Sequence, residues 1–177
     1  NTYTVTITDD NGCTITDNAP VTEPLQLQLI FNVDSVLCKN GNSGQIEAIV
    51  TGNSTPLSFL WDAAANNQNT AIATGLFAGN YTVTASEISG CTIFGTAQIF
   101  EPLTILTASI INQSNPLCFG TCDGMIEVDA LGATPNYTFT WSNGQTTSIA
   151  TGVCSGTHNV TVSDANNCTV AVGGSLT

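Results

Sequence analysis

Apolar and polar residues alternate with a period of two at three places along the chain, and each alternation runs into a cysteine. Tyr3, Val5 and Ile7 interleave with Thr4, Thr6 and Thr8 ahead of Cys13; Tyr81 and Val83 precede Cys91, and Val160 and Val162 precede Cys168. Successive strand side chains point to opposite faces, so each segment predicts a strand with one apolar and one Thr-rich face. Leu57, Phe59 and Trp61 share a face in the same way, as do Tyr137, Phe139 and Trp141. Gly, Asn, Asp and Pro break the chain at roughly ten-residue intervals, the spacing of short strands in a sandwich. No segment carries a 3.6-residue period. The expected fold is all-β, a linear array of tandem Ig-like β-sandwiches, with Trp61 and Trp141 filling the cores.

The array is legible as an internal repeat. Cys13, Cys91 and Cys168 close three related segments, and Glu23-Pro24-Leu25 returns as Glu101-Pro102-Leu103. Cys38, Gly44, Ile46, Glu47, Gly52, Phe59 and Trp61 map onto Cys118, Gly124, Ile126, Glu127, Gly132, Phe139 and Trp141. Ile72-Ala-Thr-Gly75 maps onto Ile149-Ala-Thr-Gly152, at an offset three residues shorter, which places a loop deletion after the tryptophan. The chain therefore reads as the C-terminal strands of a truncated upstream repeat (1–22) and two whole Ig-like repeats, 23–100 and 101–177. The units meet at Glu-Pro-Leu with no Gly/Ser linker, and a fixed-φ proline with little spare chain implies little bending.

Charge narrows the function. One Lys, no Arg and 13 acidic residues give a net charge of −12, although only 8% of residues are charged and 42% are apolar. Nucleic acids and anionic membranes need cations that this chain lacks, and so do the phosphate clamps of phosphoryl transfer. No run is long enough to insert in a membrane as a helix. Lys39 is also the one cleavage site for a trypsin-like protease.

Seven cysteines point to an oxidising, extracellular setting. Cys38 and Cys91 occupy the same positions in one unit as Cys118 and Cys168 in the other, so the expected bonds are Cys38–Cys91 and Cys118–Cys168, each within its unit. Cys122 and Cys154 stand where the first unit has Asn42 and Phe77. Gained together, they are expected to form a second staple, leaving Cys13 unpaired by truncation. A zinc site from Cys118, Cys122, Cys154 and Cys168 is disfavoured, because two of the four have no counterpart in the other unit.

No catalytic set emerges. His158 occupies the position of Tyr81 and reads as a packed or edge aromatic. Glu47 and Glu127 recur in both units, and Asp9, Glu87 and Asp164 each precede the late cysteine by four residues. Such repetition argues for structure, since an enzyme needs one pocket rather than a copy per domain. Asp9, Asp10, Glu23, Asp34, Glu101 and Asp164 are the weak calcium candidates, oxygen ligands near turns or unit junctions without a defined ligand spacing. No other cofactor is expected. The competing reading is that Asp-Asp-Asn-Gly and Asp-Ala-Asn-Asn are hairpin turns.

Pro116-Leu-Cys-Phe-Gly-Thr-Cys-Asp-Gly-Met-Ile-Glu-Val128, Thr134-Pro-Asn-Tyr-Thr-Phe-Thr-Trp-Ser-Asn-Gly144 and Gly156-Thr-His-Asn-Val-Thr-Val-Ser-Asp-Ala-Asn-Asn-Cys168 together resemble the SprB-type repeat of large bacterial surface adhesins. Unit 23–100 departs from it with Trp61-Asp-Ala-Ala and without the extra cysteine pair. The resemblance implies giant cell-surface proteins of gliding Bacteroidota-type bacteria, exported by the type IX system, with no catalytic residues. The leading expectation is a structural segment of a secreted adhesin or filament that gives length, stiffness and protease resistance. Its partners would be neighbouring repeats of the same chain, with lateral association into a fibre compatible with the uncharged Thr-rich faces. Two alternatives stand beside it: a carbohydrate-binding module, which needs exposed aromatics in a row, and an accessory stalk of a secreted hydrolase.

Overall fold

The computed structural model describes residues 1–23, 25–52 and 57–177. The first two strands, β1 (Thr2–Thr8) and β2 (Thr14–Pro20), form an antiparallel hairpin in which Ile7 lies opposite Ile15. Every residue of this hairpin is exposed, so Tyr3, Val5 and Ile7 carry the expected alternation without being buried.

Two sandwiches of the same design follow. In the first, β3 (Gln28–Asp34), β4 (Gly44–Thr51) and β6 (Ile72–Leu76) make one sheet in the order β3-β4-β6. The facing sheet is β5 (Leu57–Trp61), β7 (Gly79–Glu87) and β8 (Thr92–Ile99), in the order β5-β7-β8. The second sandwich repeats this with β9 (Thr107–Ser114), β10 (Gly124–Leu131) and β12 (Ile149–Val153) against β11 (Thr138–Trp141), β13 (Gly156–Ser163) and β14 (Thr169–Leu176). All pairings are antiparallel. No α-helix occurs among the described residues. The fold is a tandem array of Ig-like β-sandwiches.

Alternation decides which side chains meet between the sheets. Ile46, Ala48, Trp61, Ala73, Leu76, Tyr81, Val83 and Ile99 form one core. Ile126, Val128, Trp141, Ala150, Val153, Val160, Val162 and Leu176 form the other. Both tryptophans are buried, and each indole N–H is satisfied by a carbonyl: Trp61 donates to Thr70 at 2.9 Å and Trp141 to Thr147 at 2.8 Å. A buried aromatic of this size needs that partner, because an orphaned N–H would cost about as much as the contact gains. The other aromatic of the core position keeps one bond through a change of residue. Tyr81 donates its hydroxyl to the Phe77 carbonyl at 3.0 Å, and His158 bonds the Cys154 carbonyl through Nε2 at 2.9 Å.

The three-residue deletion is a local rebuild after the tryptophan. In the first unit Asp62 caps a single 3₁₀ turn, Ala63–Ala65, and its second oxygen accepts from Thr82 N at 2.8 Å. In the second, Trp141 is followed by a tight turn in which Gly144, at φ +86°, donates to the Trp141 carbonyl. After either turn a glutamine restores the register. Gln68 bonds both the N–H and the carbonyl of Thr74, as Gln145 does for Thr151, so an amide side chain substitutes for a strand rung. At the opposite end Gly52 and Gly132 are obligatory. Both have positive φ, and a Cβ on either would stand 2.2 Å from a backbone oxygen, Gln26 or Ile105.

Candidate functional site: the junction between units

The sequence places cysteines at the two ends of each sandwich, and strand direction decides which end. Cys38 follows β3, in the loop where Val36 N donates to the Phe100 carbonyl, beside the exit of the first unit. Cys91 lies in the β7–β8 turn, at the entrance, where it lines a cavity with Glu23, Leu25 and Leu27. Strands of seven or eight residues separate these ends by roughly 20 Å, far beyond the 7 Å Cα separation that a disulfide tolerates. The same geometry keeps Cys118 from Cys168. The expected bonds Cys38–Cys91 and Cys118–Cys168 are therefore not the ones formed.

Instead Cys38, at the exit of the first unit, is bonded to Cys168, at the entrance of the second, with a Cα–Cα distance of 5.6 Å. The bond spans the junction and joins positions 130 residues apart. Cys122 and Cys154, peculiar to the second unit, are bonded to each other within it. Cys13, Cys91 and Cys118 carry free, exposed thiols.

Charge and hydrogen bonds surround the inter-unit bond. Lys39 Nζ lies 2.5 Å from Glu101 Oε1, and Asn40 N donates to the other carboxylate oxygen at 2.7 Å. The Lys39 hydrogen bond, joined by that of Asn40, holds the Glu101 carboxyl below its ordinary value. From the second unit, Asn166 Nδ2 donates to the Leu37 carbonyl at 3.2 Å and to Thr134 Oγ1 at 2.9 Å. The turn that carries Asn166 and Cys168 is itself built by Asp164. One carboxylate oxygen accepts from Asn166 N and Cys168 N, at 2.9 and 2.8 Å, and the other from Thr134 N at 3.1 Å. Burial alone would raise the Asp164 pKa; the N–H donors of Cys168, Thr134 and Asn166 outweigh it and lower it. Asp9 repeats the device in the first hairpin, accepting from Asn11 N and Cys13 N at 3.0 and 2.7 Å.

The calcium candidates are thus placed differently from one another. Asp9 and Asp164 organise turns, Glu101 receives Lys39, Asp10 lies in the β1–β2 turn and Asp34 ends β3. Glu23 lines the entrance cavity of the first unit. Among the described residues, no three His, Cys, Asp or Glu side chains gather where a metal ion could be held. Glu47 accepts from Asn32 across the β3–β4 ladder at 2.9 Å, a cross-strand contact. Pro24, part of the first Glu-Pro-Leu junction, lies outside the described residues. No helix among those residues is long and apolar enough to cross a membrane.

Sequence reasoning missed the inter-unit bond because repeat equivalence fixes positions, not partners: pairing within a unit and pairing with the next satisfy it equally. The count of strand traverses between the cysteines carries the missing signal. Between Cys38 and Cys91 the chain goes down β4, up through β5 and β6, and down β7. An odd number of traverses leaves the two at opposite ends. β5 and β6 have five residues each and lie in different sheets, so together they make a single traverse.

Comparison with known proteins adds a likeness to one repeat family over part of the chain. The SprB repeat model matches residues 30–66 and 110–146, in each case the stretch from the first strand of a sandwich past its tryptophan. Over these two segments the chain is similar to the SprB repeat. No curated protein matches the chain. Similar solved structures include three N-terminal domains of the Hoc outer capsid protein of bacteriophage RB49, at 17% identity and a TM-score of 0.46, covering 86% of this chain and 58% of that one. The N-terminal eight Ig domains of Down syndrome cell adhesion molecule are similar at 14% identity and a TM-score of 0.42, over 99% of this chain and 28% of that one. The chain thus spans well under two thirds of either.

Proposed function

We propose that these SprB-type repeats form a structural segment of a secreted bacterial adhesin or extracellular filament, serving as a stiff spacer in an adhesion or gliding apparatus. The observation that carries this reading is the Cys38–Cys168 bond across the junction, set beside the Lys39–Glu101 pair. A spacer needs resistance to bending and extension, which a cross-linked junction supplies. The exposed aromatic row required for docking sugars is not formed by Trp61 and Trp141, since both are in the cores.

Pulling single molecules from their two ends tests the reading. The segment between Cys38 and Cys168, positions 130 apart, is shielded from load while the bond holds, and reductant should release about 450 Å of extra contour length. Equal extension with and without reductant would mean that the junction bears no covalent lock, and the stiff-spacer reading would fall.

A further inference from the structure

The entrance of the first unit has the same parts as the entrance of the second, and among the described residues no loop of another unit lines it. In the second unit the late cysteine, Cys168, lies with Leu106, Val170 and Thr169 around a cavity of about 220 Å³, into whose lining the first unit inserts Cys38 and Lys39. Their equivalents in the first unit, Cys91, Leu27, Ile93 and Thr92, surround an open cavity of about 520 Å³. Glu23 stands there at the position of Glu101, the residue that receives Lys39. Cys91 is a free thiol at the rim.

The exit of the second unit supplies the other half with one change: Phe119 follows Cys118 where Lys39 follows Cys38, so an apolar contact replaces the ion pair. Cys118 occupies the position of Cys38, as a free thiol on an exposed loop. It is flanked by Leu117, 88% exposed, and Phe119, fully exposed. Large apolar side chains this exposed on a loop mark an interaction surface, and Leu27 and Ile93 line a cavity of matching character.

We infer that Cys91 is a docking and cross-linking socket for the early-cysteine loop of another repeat of this same kind, and that the Cys118 loop is the matching plug. A second copy of this chain would therefore join head to tail, with Cys118 of one copy bonded to Cys91 of the next. The inference rests on the stapled-array reading and extends it from one junction to a continuous ladder. Its argument is the seated pair within the chain: the Cys38 loop already fills the equivalent socket and bonds Cys168. Each new bond forms as two thiols give up two protons and two electrons. A disulfide oxidant takes them up, and its own S–S bond is cleaved to two thiols.

The test uses the full chain at high concentration with glutathione disulfide as the oxidant, read by non-reducing peptide mass spectrometry. Cys13 supplies the control, because it sits on the same Asp-built turn in a hairpin that is exposed throughout. The expected result is that Cys91–Cys118 links exceed Cys13–Cys118 links at least tenfold, and that Phe119→Ser lowers them. Links among the three thiols in statistical proportion, or thiols left free, would overturn the socket. Cys38–Cys168 serves as the internal standard. If it is present while Cys91 stays unlinked, the socket fails and the stapled array stands; if it too is absent, both fall.

Discussion

The two sandwiches share strand order and tryptophan position, yet they are held differently. The first has no disulfide within it and is tied to its neighbour by Cys38; the second carries Cys122–Cys154 inside and receives the inter-unit bond at Cys168. The core substitutions between them, Ala48 for Val128, Leu76 for Val153 and Ala85 for Val162, exchange small and branched apolar groups without changing the layering. What the difference teaches is that packing defines the sandwich, while the cysteines specify two separate levels of reinforcement, within a unit and between units. Cores accept such exchanges when total volume and pattern are kept.

The largest effect that separates these levels is expected from Cys38→Ser with Cys168→Ser. Closing a loop of 130 residues is worth about 5 kcal/mol in the chain-entropy model, and the loop encloses parts of both units. Calorimetry of the double variant should resolve two independent transitions where the oxidised chain shows coupled unfolding. Unchanged coupling would place the stiffness in the Glu-Pro-Leu connection instead.

Removing Cys122 and Cys154 together should be more local. Their separation of 32 residues gives roughly 3.7 kcal/mol in the same model, lost from the second unit alone. Denaturation followed by the fluorescence of Trp141 in a Trp61→Phe background should report the loss. The reciprocal background, with Trp61 retained, should show little change. A loss of equal size in both would mean that the units do not behave as separately reinforced bodies.

The smallest effect belongs to the ion pair at the junction. Because Lys39 and Asn40 hold the Glu101 pKa below its ordinary value of 4.5, the contribution of the pair is present above that value. It fades as pH falls through the lower, folded value. Lys39→Met should remove most of this acid sensitivity and the accompanying salt dependence, measured on the fully oxidised chain so that the disulfide is constant. A junction whose acid response is indifferent to Lys39 would show that Glu101 acts through its Asn40 contact alone.

Much of this architecture is legible in the chain. Tyr81–Val83 and Val160–Val162 announce their strands by alternation, Trp61 and Trp141 mark the core, and the offsets of the repeat are carried over strand for strand. The late turns are legible too, since an acidic residue four positions before a cysteine can accept from that cysteine's N–H, as Asp9 and Asp164 do. Bond partners are not. Alternation is a local property, whereas the end of the sandwich at which a cysteine lies depends on the number of traverses before it. That number turns on two half-length strands, β5 and β6, separated by a segment whose length differs between units. The glutamine rungs of Gln68 and Gln145 escape for a related reason: a lone amide in a polar loop has no periodicity to announce it.

The bond from Cys38 to Cys168 also gives the polypeptide a second route between its ends. Lys39, the only residue after which a trypsin-like enzyme can cut, lies immediately inside that loop. A cut there leaves one fragment ending in Cys38-Lys39 and another beginning at Asn40, and the two stay covalently joined through Cys168. Any single cut between Cys38 and Cys168 has the same outcome. The chain at the junction is therefore redundant in the manner of a doubled rope: severing one strand changes the number of termini but not the connection between the two ends.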